Sequence, residues 1–298
     1  MTDRRRRLFT FGGWLVAVLL VVAIVHRFDV RTIGTYLRQG NWPAVLPFAL
    51  GLPVVYLLIG AFWDRVVFVR VLGGPRWVDL LRGRAGASLL MLLGYAAGNG
   101  AMGLWLARKT KAPAILVTSA VLYTMLSDLG GLGLVASLAF RVGHPAVRPA
   151  VGHAALAIVA IPVAIAVLAR PVLRGTTSRF LTAWRDLPPW MGLLQIAGHA
   201  LDLAGVSLVT WSAARAFGLA IPLPVFATYM PIILLATSLP FNIGGFGAAQ
   251  AAWLVFLPWA TGEHLLAFQL VWQFMYGGAM ILRGLPFVRS VLADLRDA

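Results

Sequence analysis

The stretch LPFNIGGFGAAQ, Leu239 to Gln250, lies in a strongly apolar region, yet its middle resists helix. Pro240 has no amide hydrogen to donate, and Gly244, Gly245 and Gly247 each make helical order costly. Asn242 adds a carboxamide that needs hydrogen-bond partners. At membrane depth such backbone is tolerated only where protein buries it or water reaches it. The stretch therefore separates a plain bundle of spans from a bundle folded round a polar cavity.

The rest of the chain places it in a membrane. Of 298 residues 60% are hydrophobic and 12% charged, whereas soluble domains carry roughly a quarter charged residues. Apolar runs fall near 9–26, 44–63, 85–107, 113–140, 149–169, 190–214, 222–239, 245–260 and 263–283. Lipid offers the backbone no partner, so helix is the form these runs take. The expectation is an all-α polytopic membrane protein forming one integral membrane domain over 1–298. It has about seven or eight transmembrane helices plus one or two re-entrant or broken helices. An inverted repeat of halves 1–140 and 141–298 would fit. Residues 174–189 suit a surface helix before Pro188-Pro189.

Charge adds orientation. The net charge of +15 comes from arginines clustered between the apolar runs, where headgroups and cytoplasmic loops hold them, so no nucleic-acid partner is expected. Arg4–Arg7 followed by Phe11–Val25 resembles a signal sequence, but His26-Arg27-Phe28-Asp29 lacks a small-x-small cleavage site. An uncleaved first helix with a cytoplasmic N-terminus follows. If 85–107 dips in and returns, the cytoplasmic loops collect sixteen basic residues and the outer loops six. A full crossing would put Arg108, Lys109, Lys111 and the arginines from Arg170 to Arg185 outside, against the positive-inside rule. The same count leaves the second suspect, 245–260, open. Cysteine is absent, which excludes disulfides and thiol chemistry.

Two interruptions in corresponding places of two halves point to a transport site, because their helix ends expose N–H groups to a phosphate or carboxylate. Gly98-Asn99-Gly100 and Asn242-Ile243-Gly244-Gly245 are those places. Close packing competes with this for single glycines, as in the Gly94/Gly98 pair. Ionisable residues within spans are rare and costly. Asp128 is one, and Gln195, His199 and Asp202 share a helix face at i, i+4, i+7. Asp128, His199 and Asp202 are candidates for a proton relay, weighed evenly against a structural polar stripe. Gln269 and Gln273 read as interhelical glue. No metal motif, P-loop or activated nucleophile is present, so no cofactor and no metal site are expected and catalysis does not lead.

The stretch MPIILLATSLPFNIGGFGAAQAAWL resembles the C-terminal signature of the flippase-like transmembrane domain of lysylphosphatidylglycerol synthases and their stand-alone relatives. Pro240, Gly244, Gly245 and Gly247 match it, with Gln250 where an acidic residue is frequent. Arg84, Tyr95, Gly98, Asn99, Arg108 and Lys109 follow the outline of the N-terminal signature, with Ala96-Ala97 in place of a proline. Asp128 matches an acidic position on the following helix. The soluble aminoacyl-transferase domain has no counterpart. The resemblance implies a bacterial inner-membrane protein that moves a lipid between leaflets, with a lipid-modifying transferase as a conceivable partner.

Interrupted helices with arginines at their cytoplasmic mouth suit an anionic or zwitterionic headgroup. Arg84 and Arg108 would bind its phosphate, with Asn99, Asn242 and the glycine amides as polar floor. Three classes remain in play: a phospholipid or glycolipid translocase, a non-transporting partner that presents lipid to a transferase, and an intramembrane headgroup transferase using Asp128 or Asp202 as base.

Overall fold

The computed structural model describes residues 26–92, 95–142, 148–237, 242–243 and 246–296, with positions 19 and 22. The first expected span, 9–26, lies almost wholly outside them. The described helices are α1 (Val30–Gln39), α2 (Trp42–Leu72), α3 (Trp77–Met91), α4 (Tyr95–Thr110), α5 (Ala114–Val142) and α6 (Arg148–Leu173). They continue with α7 (Thr182–Asp186), α8 (Pro189–Ala216), α9 (Leu223–Thr237), α10 (Ala248–Trp253) and α11 (Gly262–Arg296). A two-residue antiparallel pair, β1 (Asn242–Ile243) and β2 (Phe246–Gly247), joins α9 to α10. Four helices, α2, α5, α8 and α11, are long and apolar enough to cross a membrane. The expectation of an all-α, membrane-embedded protein holds at that level.

The interior is mostly hydrophobic, and so is much of the surface of the long helices. Val55, Phe62, Leu201, Leu208, Phe274 and Leu282 on the long helices are exposed, and an apolar belt of this kind is what lipid covers. Asp64, Gln195, His199, Asp202, Gln250 and Gln269 are buried instead.

Local chemistry sets the ends of the elements. Asn41 caps α2 by accepting from the Ala44 amide at 3.3 Å, and Gly73 ends it in the left-handed region at φ 73°. The prolines inside α2, Pro47 and Pro53, are of the kind membrane helices accommodate because neighbouring groups satisfy the freed carbonyls. The short helix α1 was not expected from the sequence. Asp29 caps it, accepting from the Arg31 amide at 3.0 Å and the Thr32 hydroxyl at 2.7 Å. These bonds, that of Thr32 foremost, hold the Asp29 carboxyl below its ordinary range. One face of α1, with Ile33, Tyr36 and Leu37, packs into the core, and Tyr36 stacks on His264 at 4.3 Å. The expected surface helix at 174–189 is α7 with a preceding 3-10 turn, tied to α5 where the Ala183 amide donates to Ser119 Oγ at 3.1 Å.

Two core clusters mark the two ends of the bundle. One gathers Val45 at the start of α2, Phe217 after α8 and Leu265 at the start of α11, together with Phe226 of α9 and Trp253 of α10. The other gathers Phe68 at the end of α2, Val117 at the start of α5 and Met191 at the start of α8, together with Leu80 of α3 and Trp105 of α4. The short pair α3–α4 thus sits at one end and the short pair α9–α10 at the other. The helix contacts follow the same exchange. α2 packs on α11 as α8 packs on α5, and α3 packs on α11 as α9 packs on α5.

Candidate functional site

The two interruptions face one cavity. In the first pair α3 ends at Met91 with a turn at Leu92 and α4 begins at Tyr95; in the second the described part of α9 runs to Thr237 and α10 begins at Ala248. A cavity of about 360 Å³ is bordered by Met91 and Leu92 from the first, and by Leu235, Thr237, Ala249 and Gln250 from the second. Helix α11 closes it with Gln269, Trp272, Gln273 and Tyr276, and Asp128 reaches it from α5. The first break lies a few residues earlier than the sequence signals suggest. Gly98, Asn99 and Gly100 are within α4, and Gly98 serves packing: a Cβ there would stand 2.1 Å from Met91 Cγ, where α4 folds back on α3.

A smaller compartment adjoins it, sharing Tyr56, Met91, Met125 and Asp128 as wall. It is lined by Asp64, Arg84, Asn99 and His199. Arg84 forms an ion pair with Asp64, their side chains 14% and 9% exposed. The Arg84 guanidinium lies 5.9 Å from the Tyr56 ring centroid. Gly60 leaves the room for it, since a Cβ there would meet the guanidinium carbon at 2.8 Å. Opposite, His199 Nδ1 is 3.4 Å from Asp128 Oδ1. That approach needs two backbones in contact. A Cβ on Gly131 would come within 2.7 Å of the Ala200 nitrogen, so only glycine lets α5 and α8 close to this distance. Buried His199 Nε2 has no hydrogen-bond partner. Gln195 Nε2 donates to the Trp63 carbonyl at 2.7 Å.

The structure thus brings together Arg84, Asn99, Asp128 and His199. Asp202 is buried one turn further along α8, on the wall of a separate groove. Arg108 is exposed in the last turn of α4, at the end where α3 and α4 sit, and does not reach the cavity. Asn242 and Gly247 lie in β1 and β2; Pro240, Gly244 and Gly245 lie outside the described residues.

Two participants, Asp64 and Gln269, carry no site signal in the sequence. Asp64 follows directly after the apolar run 44–63 and carries no sequence signal of its own. Gln269, read as glue, borders the cavity with its Nε2 buried and without a partner. Arg283, at the end of the last apolar run and off the cavity wall, donates to the Pro53 carbonyl and, at 3.0 Å, to Met280 Sδ, leaving its Nε unpaired. Among the described residues no group of three or more His, Cys, Asp or Glu could hold a metal ion.

Between α2 and α8 runs an apolar groove of about 610 Å³, with Phe48, Gly51, Val55, Phe62, Leu201 and Val209 along it. Leu52 and Val206 border both groove and cavity. No protein-family model and no curated protein matches the sequence.

Proposed function

We propose that the chain is a lipid translocase of the bacterial cytoplasmic membrane. The headgroup passes through the cavity while the acyl chains stay in the apolar groove and the bilayer. The supporting observation is contiguity: a cavity whose largely apolar lining carries Asp128, Gln250, Gln269 and Gln273, and a surface groove that is almost wholly apolar, meet at one wall, Leu52 and Val206. A purely water-soluble substrate would have no use for the groove, and an acyl chain alone none for the glutamines and Asp128. The resemblance to the flippase-like domain of lysylphosphatidylglycerol synthases points the same way. Arg108 would meet lipid phosphate at the headgroup layer rather than inside the cavity.

The membrane topology belongs to this proposal. α3 and α9, at 15 residues each, are about 22 Å long, short of a hydrocarbon core of ~30 Å. Each short pair therefore dips in and returns, one from either side. The expected spans at 222–239 and 245–260 become the second pair, which leaves six crossings: the N-terminal segment, α2, α5, α6, α8 and α11. The exposed Arg70, Arg76, Arg82, Arg108, Lys111, Arg174, Arg179 and Arg289 then share the cytoplasmic face with the N-terminus. Arg31, Arg38 and Arg215 lie outside. The halves are an inverted repeat, as transporters commonly are.

The absence of cysteine makes this topology testable with single replacements in the natural background. Ala220→Cys and Thr261→Cys, flanking the second pair, are expected to react with a membrane-impermeant maleimide added to intact cells. Lys111→Cys and Ser178→Cys should react only after permeabilisation. Labelling of Ala220→Cys and Thr261→Cys from opposite sides would sink the six-crossing arrangement.

The function is tested by translocation of labelled phospholipids and glycolipids in proteoliposomes. Wild type is expected to move at least one headgroup class, and the double variant Asn242→Leu/Gly245→Leu to lose that flux while staying folded. Absence of flux for every lipid, with lipid still co-purifying, would replace the translocase by a partner that presents lipid to a separate transferase.

A further inference from the structure

Resting on the lipid reading above, we infer that the cavity takes an uncharged, hydroxyl-rich headgroup, the hexosyl group of a membrane glycolipid. Its wall has the chemistry such a group needs. Helix α11 carries two parallel ladders at i, i+4 spacing. Trp272 and Tyr276 form the aromatic one on the wall, their centroids 6.3 Å apart at 21°, with Phe268 stacked behind Trp272 in the core at 6.0 Å and 24°. Gln269 and Gln273 form the other, and Gln250 joins them from α10. The apolar C–H face of a pyranose lies well on aromatic rings. Its hydroxyls, each donor and acceptor, match carboxamides, which are both as well.

Charge argues against a phosphate in this space. Among the described residues Asp128 is the one charged side chain on the cavity wall, and it is an acceptor for hydroxyls and repulsive to an anion. In the adjoining compartment the charge of Arg84 is matched by Asp64. The strongest sign of a ligand is Gln269. It is 5% exposed and borders the cavity, and its Nε2 has no protein acceptor. A buried donor left unmade is costly unless something arrives to accept from it. The volume, about 360 Å³, lies within the range of small-molecule sites, ~300–1,000 Å³.

The test uses the full chain in phosphatidylcholine nanodiscs, titrated with three dioctanoyl lipids: glucosylglycerol, phosphatidylglycerol and a trimethylammonium lipid. Binding is read as a saturable shift in melting temperature. The glucosyl lipid is expected to bind about tenfold or more tighter than the other two. Gln269→Leu and Trp272→Leu should each weaken it by about tenfold, while Arg179→Gln, an exposed arginine off the cavity wall, leaves it unchanged. Gln269→Leu removes an unsatisfied group, so it should melt no lower than wild type without ligand, which separates lost binding from lost fold.

Equal or tighter binding of phosphatidylglycerol or of the cationic lipid would overturn the inference, as would undiminished glucosyl binding by Gln269→Leu. The two readings fail separately. Glucosyl binding with the expected residue dependence but no flux of any lipid would remove the translocase and keep the site. Phospholipid flux without glucosyl binding would do the reverse.

Discussion

Arg84→Met is expected to cost about 3–5 kcal/mol of stability, because it strands a buried carboxylate rather than merely deleting a contact. Asp64 and Arg84 pair between α2 and α3 with side chains 9% and 14% exposed. Removing either takes the ion-pair partner from a largely buried charge, so Asp64→Leu should cost a similar amount. Replacing both with apolar groups of like size removes the problem along with the attraction. The double variant Asp64→Leu/Arg84→Met is therefore expected to recover most of the loss, giving a coupling energy well above that of an exposed pair. Denaturant unfolding in mixed micelles measures all four corners of the cycle. Single variants that each cost under ~1 kcal/mol, as solvent-exposed pairs do, would show that solvent reaches the pair freely. The pair also has a structural consequence. It anchors the first short pair to the first long helix, and Gly60 is small so that the guanidinium fits between them.

How much of this was legible in the sequence depends on what kind of signal each part leaves. The long helices were legible because apolarity over 20 or so residues is a strong one-dimensional signal: α2, α5, α8 and α11 fall on expected runs. α1 was hidden because its core contacts rest on a few side chains, and a search for spans passes over an amphipathic helix of ten residues. Hydropathy reads composition and not continuity, so the runs 222–239 and 245–260 carry no sign of where helix α10 starts, at Ala248. Glycine and asparagine marked the first break a few residues late. A glycine in a helix costs only ~1 kcal/mol against alanine and is accepted where a Cβ would strike Met91.

At the site, charges within apolar runs flagged Asp128, His199 and Asp202, but spacing along one helix says nothing about the neighbour each one meets. His199 and Asp202 are three residues apart, about 300° around the helix, and the remaining offset is enough to turn one toward α5 and the other to the groove beside α2. The Asp128–His199 contact itself depends on Gly131, whose role is visible only once α8 is placed against it.

Val206→Trp is expected to slow lipid passage by about 5- to 150-fold, the factor that corresponds to ~1–3 kcal/mol of overpacking at the point of crossing. Val206 and Leu52 are the residues common to the apolar groove and the cavity that holds the glutamines. A lipid whose headgroup is in the cavity and whose chain is in the groove must thread between them. The half-buried Val206 side chain faces space on both sides, so an indole there adds bulk to the passage rather than to a filled core. Folding should survive, and glucosyl-lipid binding should fall less than flux, because the glutamine and aromatic ladders of α11 are untouched. Val206→Ala, which widens the same passage, should leave flux at or above the wild-type rate. The comparison is made in proteoliposomes at matched protein content, with melting temperature as the control for fold. If Val206→Trp transports at the wild-type rate while folded, head and tail do not travel through this wall, and cavity and groove serve separate purposes.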